Sequence, residues 1–420
     1  MNSKTCPVLA IIGGGASGLA ASVFAAQTAE LKGIQIRICI FEANPRVGKK
    51  ILVTGNGRCN FSNYDMSPSH FHGDVILAEK ALEAFSENDA VRFFRSGGLF
   101  SRKDNAGRIY PLSNQASSVL DFFRNEAQRH GVEIFTDCKI SSVCRDGGKI
   151  LINGTSRADA VIVACGGKAA AVHGSDGSFF SVLHSLGIKT SEFYPALTPI
   201  CIADFTKALK GIRAEGKLTV KQRGTVTASE RGELQYTDYG ISGIPAMQVS
   251  GRISPLLKNG TPVYVFVDSA PSIEADELKK YISEMLKTDP MRPLEMLLSG
   301  IMPKRLAAFL LNELSFKTEK PLKTVNPAAI DKIVTAVKNK KYTVSGVKGF
   351  ADAQVTVGGV PAAELFADTL ELKKVKHMYI CGEAVNVDGD CGGYNLQWAW
   401  SSAYVAASSA VGELANAQNK

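Results

Sequence analysis

The sequence predicts an α/β protein built around a Rossmann-like, dinucleotide-binding sheet. An apolar strand, Val8 to Ile12, leads directly into the pattern Gly13-x-Gly15-x-x-Gly18, and a helix of small residues follows from Ala16 to Ala26. A second apolar strand, Ile34 to Phe41, ends at the acidic residue Glu42. Strand, glycine turn, helix and second strand in this order form the fingerprint of an adenine-dinucleotide site.

Each residue of this fingerprint has a distinct physical task. Gly13 allows the tight turn, Gly15 lets the backbone approach a pyrophosphate, and Gly18 lets the helix pack closely on the strand. The helix start offers free N–H groups and a positive dipole end to the phosphates. Glu42 accepts hydrogen bonds from a ribose diol and would repel a 2′-phosphate. An ordinary glycine-rich turn would not explain the acidic strand end, so we expect FAD or NAD to bind here.

The composition is that of an α/β enzyme with more than one domain. A chain of 420 residues, 45% of them hydrophobic, can form two or three domains. The net charge of +8 includes no long basic run, since the densest clusters, at 338–341 and 373–376, are short. We therefore expect no nucleic-acid partner. No run of 18 apolar residues occurs, so no membrane span is expected.

The cysteines indicate a reducing environment. None of the nine forms a CxxC pair, which argues against a zinc knuckle or a thioredoxin-like redox pair. Cys6, Cys39, Cys165 and Cys381 lie in or beside apolar strands, as small buried residues do. We therefore expect a cytoplasmic protein.

The elements that follow the fingerprint extend the α/β pattern. A basic, glycine-rich loop over 43–63 is suited to wrapping a phosphate-bearing ligand. Apolar spacing predicts helices over 74–97 and 117–130, with a loop or hairpin over 98–114 between them. Short strands are predicted at 132–135, 140–144, 150–152 and 159–165, before a turn into a helix over 174–187.

The pattern changes at Pro195 and returns near the C-terminus. Strands are predicted at 199–202, 216–227 and 263–267, a helix-rich stretch over 273–314 and 326–339, and strands again at 342–344 and 354–357. A last strand, 378–381, precedes a glycine-acid loop and an apolar helix from about 397 to 414. We therefore predict a discontinuous cofactor domain (1–190 and 357–420), an inserted β domain (191–270 and 338–356) and a helical insertion (271–337).

Several long segments identify a family resemblance that spans nearly the whole chain. They read GGGASGLAA, TGNGRCNFSN, GRIYPLSNQA, YGISGIPAMQVS, ADAQVTVGGV and ICGEAVNVDGDCGGYNLQWAWSS, in this order. The chain resembles bacterial flavoproteins of the aminoacetone oxidase or YhiN-like family, some of which are BaiN-like bile-acid reductases. This resemblance implies FAD in a fold of the two-dinucleotide-binding-domain type, with a β insertion and a helical insertion. The loop 168–177 departs from the glycine-, serine- and threonine-rich loop associated with these relatives.

The resemblance also implies which residues contact FAD. The glycine turn would meet the pyrophosphate, Glu42 the ribose, Val143 the adenine, and the segment from Gly393 the isoalloxazine ring. Gly382, Glu383 and Asp388 resemble a second flavin motif, whose acid would bind ribityl or phosphate groups. The implied cofactor residues are Gly13, Gly15, Ala16, Gly18, Glu42, Ala43, Lys49, Gly55, Gly57, Arg58, Cys59, Asn60, Val143, Gly166, Gly382, Glu383, Asp388, Gly393, Tyr394, Asn395 and Leu396.

Candidates for catalysis are fewer. Tyr110 and Tyr394 could bind or protonate a substrate carbonyl, although a tyrosine beside glycines is more often a packing residue. The N-terminus of the last helix could stabilise negative charge on a reduced flavin. Cys59 and Cys391 lie in cofactor loops, but without a CxxC pair a redox-active thiol is not favoured.

A metal site is not favoured either. His70 and His72 with Asp74 could be drawn as one, yet two histidines in a polar loop are commonly just solvated.

Three functions compete at this stage. The first is an FAD-dependent oxidoreductase of a small organic molecule, in which the flavin is recycled by O2 or by transiently bound NAD(P)H. A second GxGxxG after a strand is absent, so a dedicated NAD(P)H domain is not indicated. The second is a flavoenzyme acting on a macromolecule such as tRNA, and the third is a non-catalytic flavin-binding redox sensor. The sequence leaves the substrate and the oligomeric state open.

Overall fold

The computed structural model describes residues 6–258 and 260–418. In this part of the chain the helices are α1 (Ala16–Leu31), α2 (Val75–Ala84), α3 (Glu87–Ser96), α4 (Ala116–Arg129), α5 (Phe179–Ser185), α6 (Ile244–Lys258), α7 (Ala275–Thr288), α8 (Lys304–Glu313), α9 (Ile330–Lys338) and α10 (Tyr394–Gln418). The strands are β1 (Val8–Ile12), β2 (Arg37–Phe41), β3 (Ser62–Asn63), β4 (Phe71–Gly73), β5 (Ser101–Lys103), β6 (Arg108–Pro111), β7 (Glu133–Phe135), β8 (Val143–Asp146), β9 (Lys149–Ile152), β10 (Ser156–Ala158), β11 (Ala160–Val163), β12 (Tyr194–Ala196), β13 (Ile200–Ile202), β14 (Arg213–Gln222), β15 (Thr225–Tyr236), β16 (Gly240–Ser242), β17 (Val263–Asp268), β18 (Lys340–Val347), β19 (Val355–Val357), β20 (Leu365–Phe366), β21 (Glu371–Leu372), β22 (Met378–Ile380) and β23 (Val387–Gly389).

The chain divides into two compact units. Among the described residues, one unit comprises 6–193 and 355–418, and the other covers Tyr194–Gln354. No helix in the described part of the chain is long and apolar enough to cross a membrane.

The first unit contains a seven-stranded sheet in the order β20-β21-β22-β11-β1-β2-β7. The five strands from β22 to β7 run parallel to one another. At one edge, β21 pairs antiparallel with β22, and β20 pairs antiparallel with β21. In β1, β2 and β11 the register pairs Ile12 with both Phe41 and Val163. The carboxyl ends of these strands therefore lie along one edge of the sheet, where open α/β sheets bind ligands.

Helices α1 and α10 cover this sheet and share its core. Most of α1 consists of buried small residues, which allows close packing. Two tryptophans of α10 are buried and use their indole N–H groups: Trp398 donates to the Gly382 carbonyl at 3.0 Å and Trp400 to the Phe61 carbonyl at 2.9 Å. Helix α10 thereby anchors two of the loops that were expected to contact a cofactor.

The second unit is a closed six-stranded barrel, β13-β16-β15-β14-β17-β18, with helices α6 to α9. Alternate residues of β17, Val263, Val265 and Val267, point into the barrel. Barrel residues and residues of α7 to α9 belong to one apolar core. The predicted β insertion and helical insertion thus share a core within this unit.

Four elements differ from the sequence-based expectations. The helix expected over 74–97 is two helices, α2 and α3, because Ser86 begins a new helix with a capping box. The strand expected over 216–227 is a hairpin, since Arg223 and Gly224 both have positive φ and turn the chain between β14 and β15. Helix α6 was not predicted, and α10 begins at Tyr394 rather than near 397.

Candidate cofactor and active site

The glycine turn after β1 contains two glycines that close packing requires and one glycine that faces open space. Gly13 has φ +104°, and a Cβ there would overlap the Ala164 carbonyl oxygen. A Cβ on Gly18 would overlap the Gly13 carbonyl oxygen, so close helix–strand packing requires glycine at this position. Gly15 has φ −79°, and a Cβ there would meet no atom within 4 Å. The space beside Gly15 suits a pyrophosphate that approaches the backbone.

The N-terminus of α1 is available to an anion. Gly15 is its N-cap and provides no side-chain hydrogen bond, and the first turn, which includes Ala16, holds no acidic residue. The first N–H groups of a helix have no partner within the helix and carry the positive end of its dipole. A phosphate at this position would therefore be stabilised.

Glu42 lies at the end of β2, buried to 8% exposure, beside the glycine turn. Its Oε2 accepts the Gly14 backbone N–H at 2.8 Å, and its Oε1 accepts the backbone N–H and the Nδ2 of Asn44 at 2.8 and 2.7 Å. A carboxylate has about four acceptor positions, so one remains for a ribose hydroxyl. The neighbouring Ala43 is exposed.

Two lysines join the loop after β2 to the loop after β11. Lys49 Nζ donates to Asn44 Oδ1 at 3.3 Å and to the Val172 carbonyl at 3.2 Å. Lys50 Nζ donates to the Ala169 carbonyl at 3.2 Å and forms an ion pair at 2.9 Å with Glu383, which follows β22. Glu383 also accepts the Thr356 N–H at 2.7 Å, so its carboxylate holds loops together. Gly166, in the same region, has φ +71°.

The loop 54–60 follows an unusual backbone path. Gly55, Asn56, Gly57 and Cys59 all have positive φ, between 55° and 81°. The Cys59 N–H closes the loop on the Thr54 carbonyl at 3.0 Å. The Arg58 N–H also donates to the Gly55 carbonyl at 3.3 Å, so the loop is closed by its own backbone hydrogen bonds.

Tyr110 lies against this loop, and two guanidinium groups lie near its ring. The Cζ atoms of Arg58 and Arg102 are 5.2 and 4.9 Å from the centre of its ring. Tyr110 is only 4% exposed, whereas Arg58 is exposed. The structure therefore joins the 54–60 loop to β6, and it encloses most of the Tyr110 side chain.

The start of α10 meets the same region. A Cβ on Gly393 would overlap the Ser62 carbonyl oxygen and lie 2.9 Å from Asn60 Oδ1. Asn60 Oδ1 is buried and has no hydrogen-bond partner in the described part of the chain. Asn395 fixes the approaching backbone, since its Oδ1 accepts the Gly389 N–H at 2.9 Å and its Nδ2 donates to the Gly389 carbonyl at 2.6 Å.

The remaining expected cofactor residues are mostly packed. Val143, on β8, is 5% exposed and pairs with Ile152 of β9. It belongs to the same unit as the glycine turn. Gly382 has φ +67° and its N–H donates to Ser402 Oγ at 2.9 Å. Asp388 is 5% exposed on β23, and Leu396 packs partly against the core.

These observations fit an adenine dinucleotide. The open side of Gly15, the uncapped start of α1 and the unpartnered Asn60 Oδ1 each leave room or hydrogen-bonding capacity for a ligand. Buried polar atoms normally have a partner, so a group that donates to Asn60 would complete the site. The residues present therefore match the pyrophosphate and ring ends of such a cofactor.

A histidine–aspartate cluster was assigned incompletely from the sequence. Asp390, and not Asp74, bridges the two histidines: its Oδ2 is 3.0 Å from His70 Nδ1, and its Oδ1 is 3.0 Å from His72 Nε2. Asp74 instead accepts the Ala362 N–H and the Asn386 Nδ2, at 3.0 and 2.9 Å. Antiparallel pairing of β4 with β23 brings the segments together. His70 and His72 are two residues apart, as are Asp388 and Asp390, and this shared spacing could have indicated that the two segments pair.

Among residues 6–258 and 260–418, no group of three or more His, Cys, Asp or Glu side chains could hold a metal ion. All nine cysteines are free thiols. Burial raises the pKa of Cys59 to about 12 and also raises the pKa of Cys391. A neutral thiol is a poor nucleophile, so neither cysteine is prepared for redox chemistry.

Tyr394, the first residue of α10, lies next to the cluster. Its ring stacks on that of His70, with centroids 4.4 Å apart and planes at 20°. Burial, together with the nearby carboxylates of Asp65 and Asp390, raises the pKa of Tyr394 to about 12. The phenol is therefore protonated at neutral pH and can donate a hydrogen bond.

The chain matches one family model and several curated proteins along nearly its whole length. Residues 7–409 match the model of the family described as HI0933-like protein Rossmann domain. The chain is 38% identical to a 3-dehydro-bile acid delta(4,6)-reductase of Clostridium scindens over 409 residues, covering 96% of this chain and 98% of that one. It is 27% identical to a ribosomal RNA dihydrouridine synthase of Escherichia coli over 405 residues, covering 94% and 96% of the two chains.

A solved structure shares the fold. The 3-ketosteroid delta1-dehydrogenase from Sterolibacterium denitrificans aligns with a TM-score of 0.50 and 12% identity, covering 96% of this chain and 99% of that one.

Proposed function

The chain belongs to the HI0933-like protein Rossmann domain family, and from this premise we propose that it is an FAD-dependent reductase of conjugated carbon–carbon double bonds. Membership in this FAD-binding Rossmann family makes it a flavoprotein oxidoreductase. The direction of the reaction and the type of bond are the proposed part.

The names of two relatives carry this proposal. A 3-dehydro-bile acid delta(4,6)-reductase acts on double bonds conjugated to a 3-oxo group, and dihydrouridine is uridine in which the double bond conjugated to a carbonyl has been reduced. The two substrates differ greatly in size, but the bond that changes is the same. We therefore assign the shared reaction: hydride adds to the β-carbon and a proton to the α-carbon, which leaves a carbonyl compound with one carbon–carbon double bond fewer.

Reduced FAD, when bound, would supply the hydride, and this chain's residues would hold the cofactor. Gly15 and the start of α1 would receive the pyrophosphate, and Glu42 the adenosine ribose. The 54–60 loop and the segment from Gly393 would surround the ring. The single observation that supports this placement best is Asn60 Oδ1, which is buried without a partner beside Gly393.

The polar groups around Gly393 can serve the reaction in two ways. The N-terminus of α10, whose first turn contains no acidic residue, can stabilise negative charge that develops on a nearby ring or carbonyl. Tyr394 and Tyr110 are the two phenols that could donate to the substrate. We assign the proton donor to Tyr394 and a substrate-orienting role to Tyr110.

The electron donor belongs to the proposal too. NAD(P)H, bound transiently, would return two electrons to the enzyme, so that substrate, NAD(P)H and one proton give reduced substrate and NAD(P)+. Anaerobic titration of the purified protein with NADH and with NADPH should bleach the flavin absorbance with one of them. If neither bleaches the flavin and O2 alone turns the enzyme over with a reduced substrate, the enzyme works as an oxidase.

Substrate class is tested with matched ketones. After anaerobic reduction, a steroid 4,6-dien-3-one should reoxidise the flavin, while the saturated ketone and an isolated alkene of the same skeleton should not. Mass spectrometry should show a gain of two hydrogens. Reoxidation by all three compounds, or by none, contradicts the assignment to conjugated double bonds.

RNA is a second candidate substrate because of a surface on the barrel unit. Residues 194–354 hold 23 of the 48 Lys and Arg but 16 of the 40 Asp and Glu, so nearly all of the net charge lies there. On neighbouring strands, Lys221 Nζ lies 4.6 Å from the Phe266 ring and Lys341 Nζ lies 3.7 Å from the Tyr264 ring. Lysines beside partly exposed rings on a sheet are suited to stacking single-stranded bases.

Filter binding of a single-stranded RNA at low and high salt separates the two candidates. If RNA is a substrate, binding should weaken steeply with salt, and K221Q with K341Q should weaken it further. K280Q, on an exposed lysine of α7, is the control. Binding that is weak at low salt, or equal in all variants, leaves the small ketone as the substrate.

A further inference from the structure

His70 is bracketed by two carboxylates. Its Nδ1 lies 3.0 Å from Asp390 Oδ2, and its Nε2 lies 3.3 Å from Asp65 Oδ2. An ionised carboxylate can only accept hydrogen bonds, and the two imidazole nitrogens are both donors only in the cationic form. The arrangement therefore selects the imidazolium.

The charges around His70 come from three segments. Asp65 lies in the loop after β3, Asp390 follows β23, and Tyr394 begins α10. His72 faces Asp390 from the other side at 3.0 Å. Partial burial lowers the pKa of His70, but the hydrogen bonds and charges of Asp390 and Asp65 outweigh this effect and raise it overall. The direction agrees with the geometry.

The face of the same ring supports Tyr394. The two rings are parallel to within 20° at 4.4 Å, and Phe71 meets Tyr394 edge-on at 5.9 Å. A Cβ on Gly392 would lie 2.8 Å from Tyr394 Cε2, so the backbone at Gly392 also lies close to this ring. Because the rings meet face to face, and both nitrogens of His70 point to carboxylates, His70 does not pass a proton to the Tyr394 hydroxyl.

We propose that His70, as an imidazolium held between Asp65 and Asp390, is a positioning residue that fixes the Tyr394 phenol for proton donation to the substrate. A cation over the face of a phenol is attracted to the ring, which holds both groups in place. Tyr394's role in this proposal rests on the proposed function, whereas the charged state of His70 does not.

The proposal predicts the pH dependence of stability. An ordinary histidine has a pKa near 6.5, and that of His70 is raised. Its contribution to stability is therefore fully present below about pH 6.5 and is lost as the pH rises through the folded-state value. The pKa of Asp390 is lowered, because its hydrogen bonds to His72 and His70 outweigh burial, so its contribution is lost as the pH falls below the usual aspartate range.

The first test measures the charge of His70 and does not require an activity assay. In protein with labelled histidines, the resonance that disappears in H70F should titrate above pH 6.5 in the wild type. H70F keeps an aromatic ring but loses the charge. The difference in melting temperature between wild type and H70F should shrink from pH 6 to pH 9, while H184Q, an exposed histidine that contacts Thr190, should show no such trend. A His70 resonance that titrates at or below 6.5 overturns the proposal.

The second test separates positioning from structural support. The wild-type kcat should decline at high pH, as His70 loses its charge. H70F should retain FAD and KM, lower kcat by about 10- to 100-fold, as misplaced groups do, and lose this decline. A fall in FAD content with an unchanged pH profile would make His70 a structural residue only. If the wild type reduces no conjugated ketone, the proposed function fails, and the histidine titration still decides the charge of His70.

Discussion

A side chain at Gly15 would enter open space, whereas one at Gly13 or Gly18 would overlap backbone atoms. The sequence predicted a different task for each of these glycines, because the spacing of the fingerprint follows from backbone geometry that recurs in this fold. The sequence did not predict which side chains form hydrogen bonds across the fold. His70 and Asp390 are 320 residues apart, so no local pattern pairs them, and Asp74 was the nearer carboxylate in sequence.

Gly15→Ala should separate cofactor binding from folding. Because Gly15 has an ordinary φ and no atom within 4 Å of the added methyl group, the cofactor-free protein should still fold. Its melting temperature should fall only slightly, since alanine is a poorer N-cap than glycine. FAD affinity should fall at least about tenfold, or about 1.4 kcal/mol, since the methyl group occupies the pyrophosphate's space. Flavin content and a binding titration measure this.

The control for Gly15→Ala is Gly412→Ala in α10, where the added methyl group also meets nothing. That change should keep FAD and raise stability by about 0.5–1 kcal/mol, as alanine does in a helix. Equal FAD affinity in both variants would mean that the pyrophosphate lies elsewhere.

Removing one phenol at a time should distinguish the two tyrosines. Tyr394→Phe should lower kcat by roughly 10²–10⁴-fold, the usual contribution of a positioned proton donor. Tyr110→Phe should lower turnover moderately and leave FAD content intact, since its ring is held by Arg58 and Arg102. Tyr64→Phe, at an exposed tyrosine beside Lys103, should change neither. Unchanged turnover in Tyr110→Phe would make that residue a packing residue.

At the scale of elements, periodicity predicted most helices and strands but not where they break. The apolar spacing from 74 to 97 is continuous, yet the chain breaks at Phe85, whose carbonyl accepts Gln397 Nε2 at 3.2 Å and Ser401 Oγ at 2.6 Å. Both donors lie on α10, more than 300 residues away. These tertiary hydrogen bonds act at the break together with the Ser86 capping box, and the apolar spacing encodes neither.

Ser86→Ala should destabilise the protein through the start of α3. Ser86 Oγ accepts the Asp89 N–H, and Asp89 returns a bond to the Ser86 N–H at 2.9 Å. Loss of such a cap typically costs about 1 kcal/mol. Urea unfolding measures it, and Ser96→Ala at the exposed end of the same helix should cost less than about 0.5 kcal/mol. Equal losses in both variants would show that the capping box does not stabilise the break.

At the scale of the whole molecule, the sheet of the first unit depends on both ends of the chain. Strand β22 joins β11 through the pairs Val161–Met378 and Val163–Ile380. The return of strand and glycine-acid loop near residue 380 predicted this arrangement. The sequence could not show how the two insertions share a core, because burial in the barrel depends on strand pairing between distant segments. Whether the predicted segments are independent domains stays a prediction.

Replacing residues 194–354 by a short glycine-serine linker should leave a protein that folds and binds FAD. Within the first unit, Ser191 N–H donates to the Gly359 carbonyl at 2.9 Å, and the Gly359 N–H donates to Ser191 Oγ at 3.0 Å. The chain therefore leaves and re-enters this unit at neighbouring points, which a linker of about four to six residues can span at ~3.3 Å per residue. The first unit also keeps its own apolar core, so it meets the condition for folding alone.

The shortened protein should purify yellow and melt cooperatively, while the same protein carrying Gly15→Ala should be colourless but folded. An insoluble product, with a soluble full-length chain made in parallel, would show that the first unit requires the barrel unit to fold.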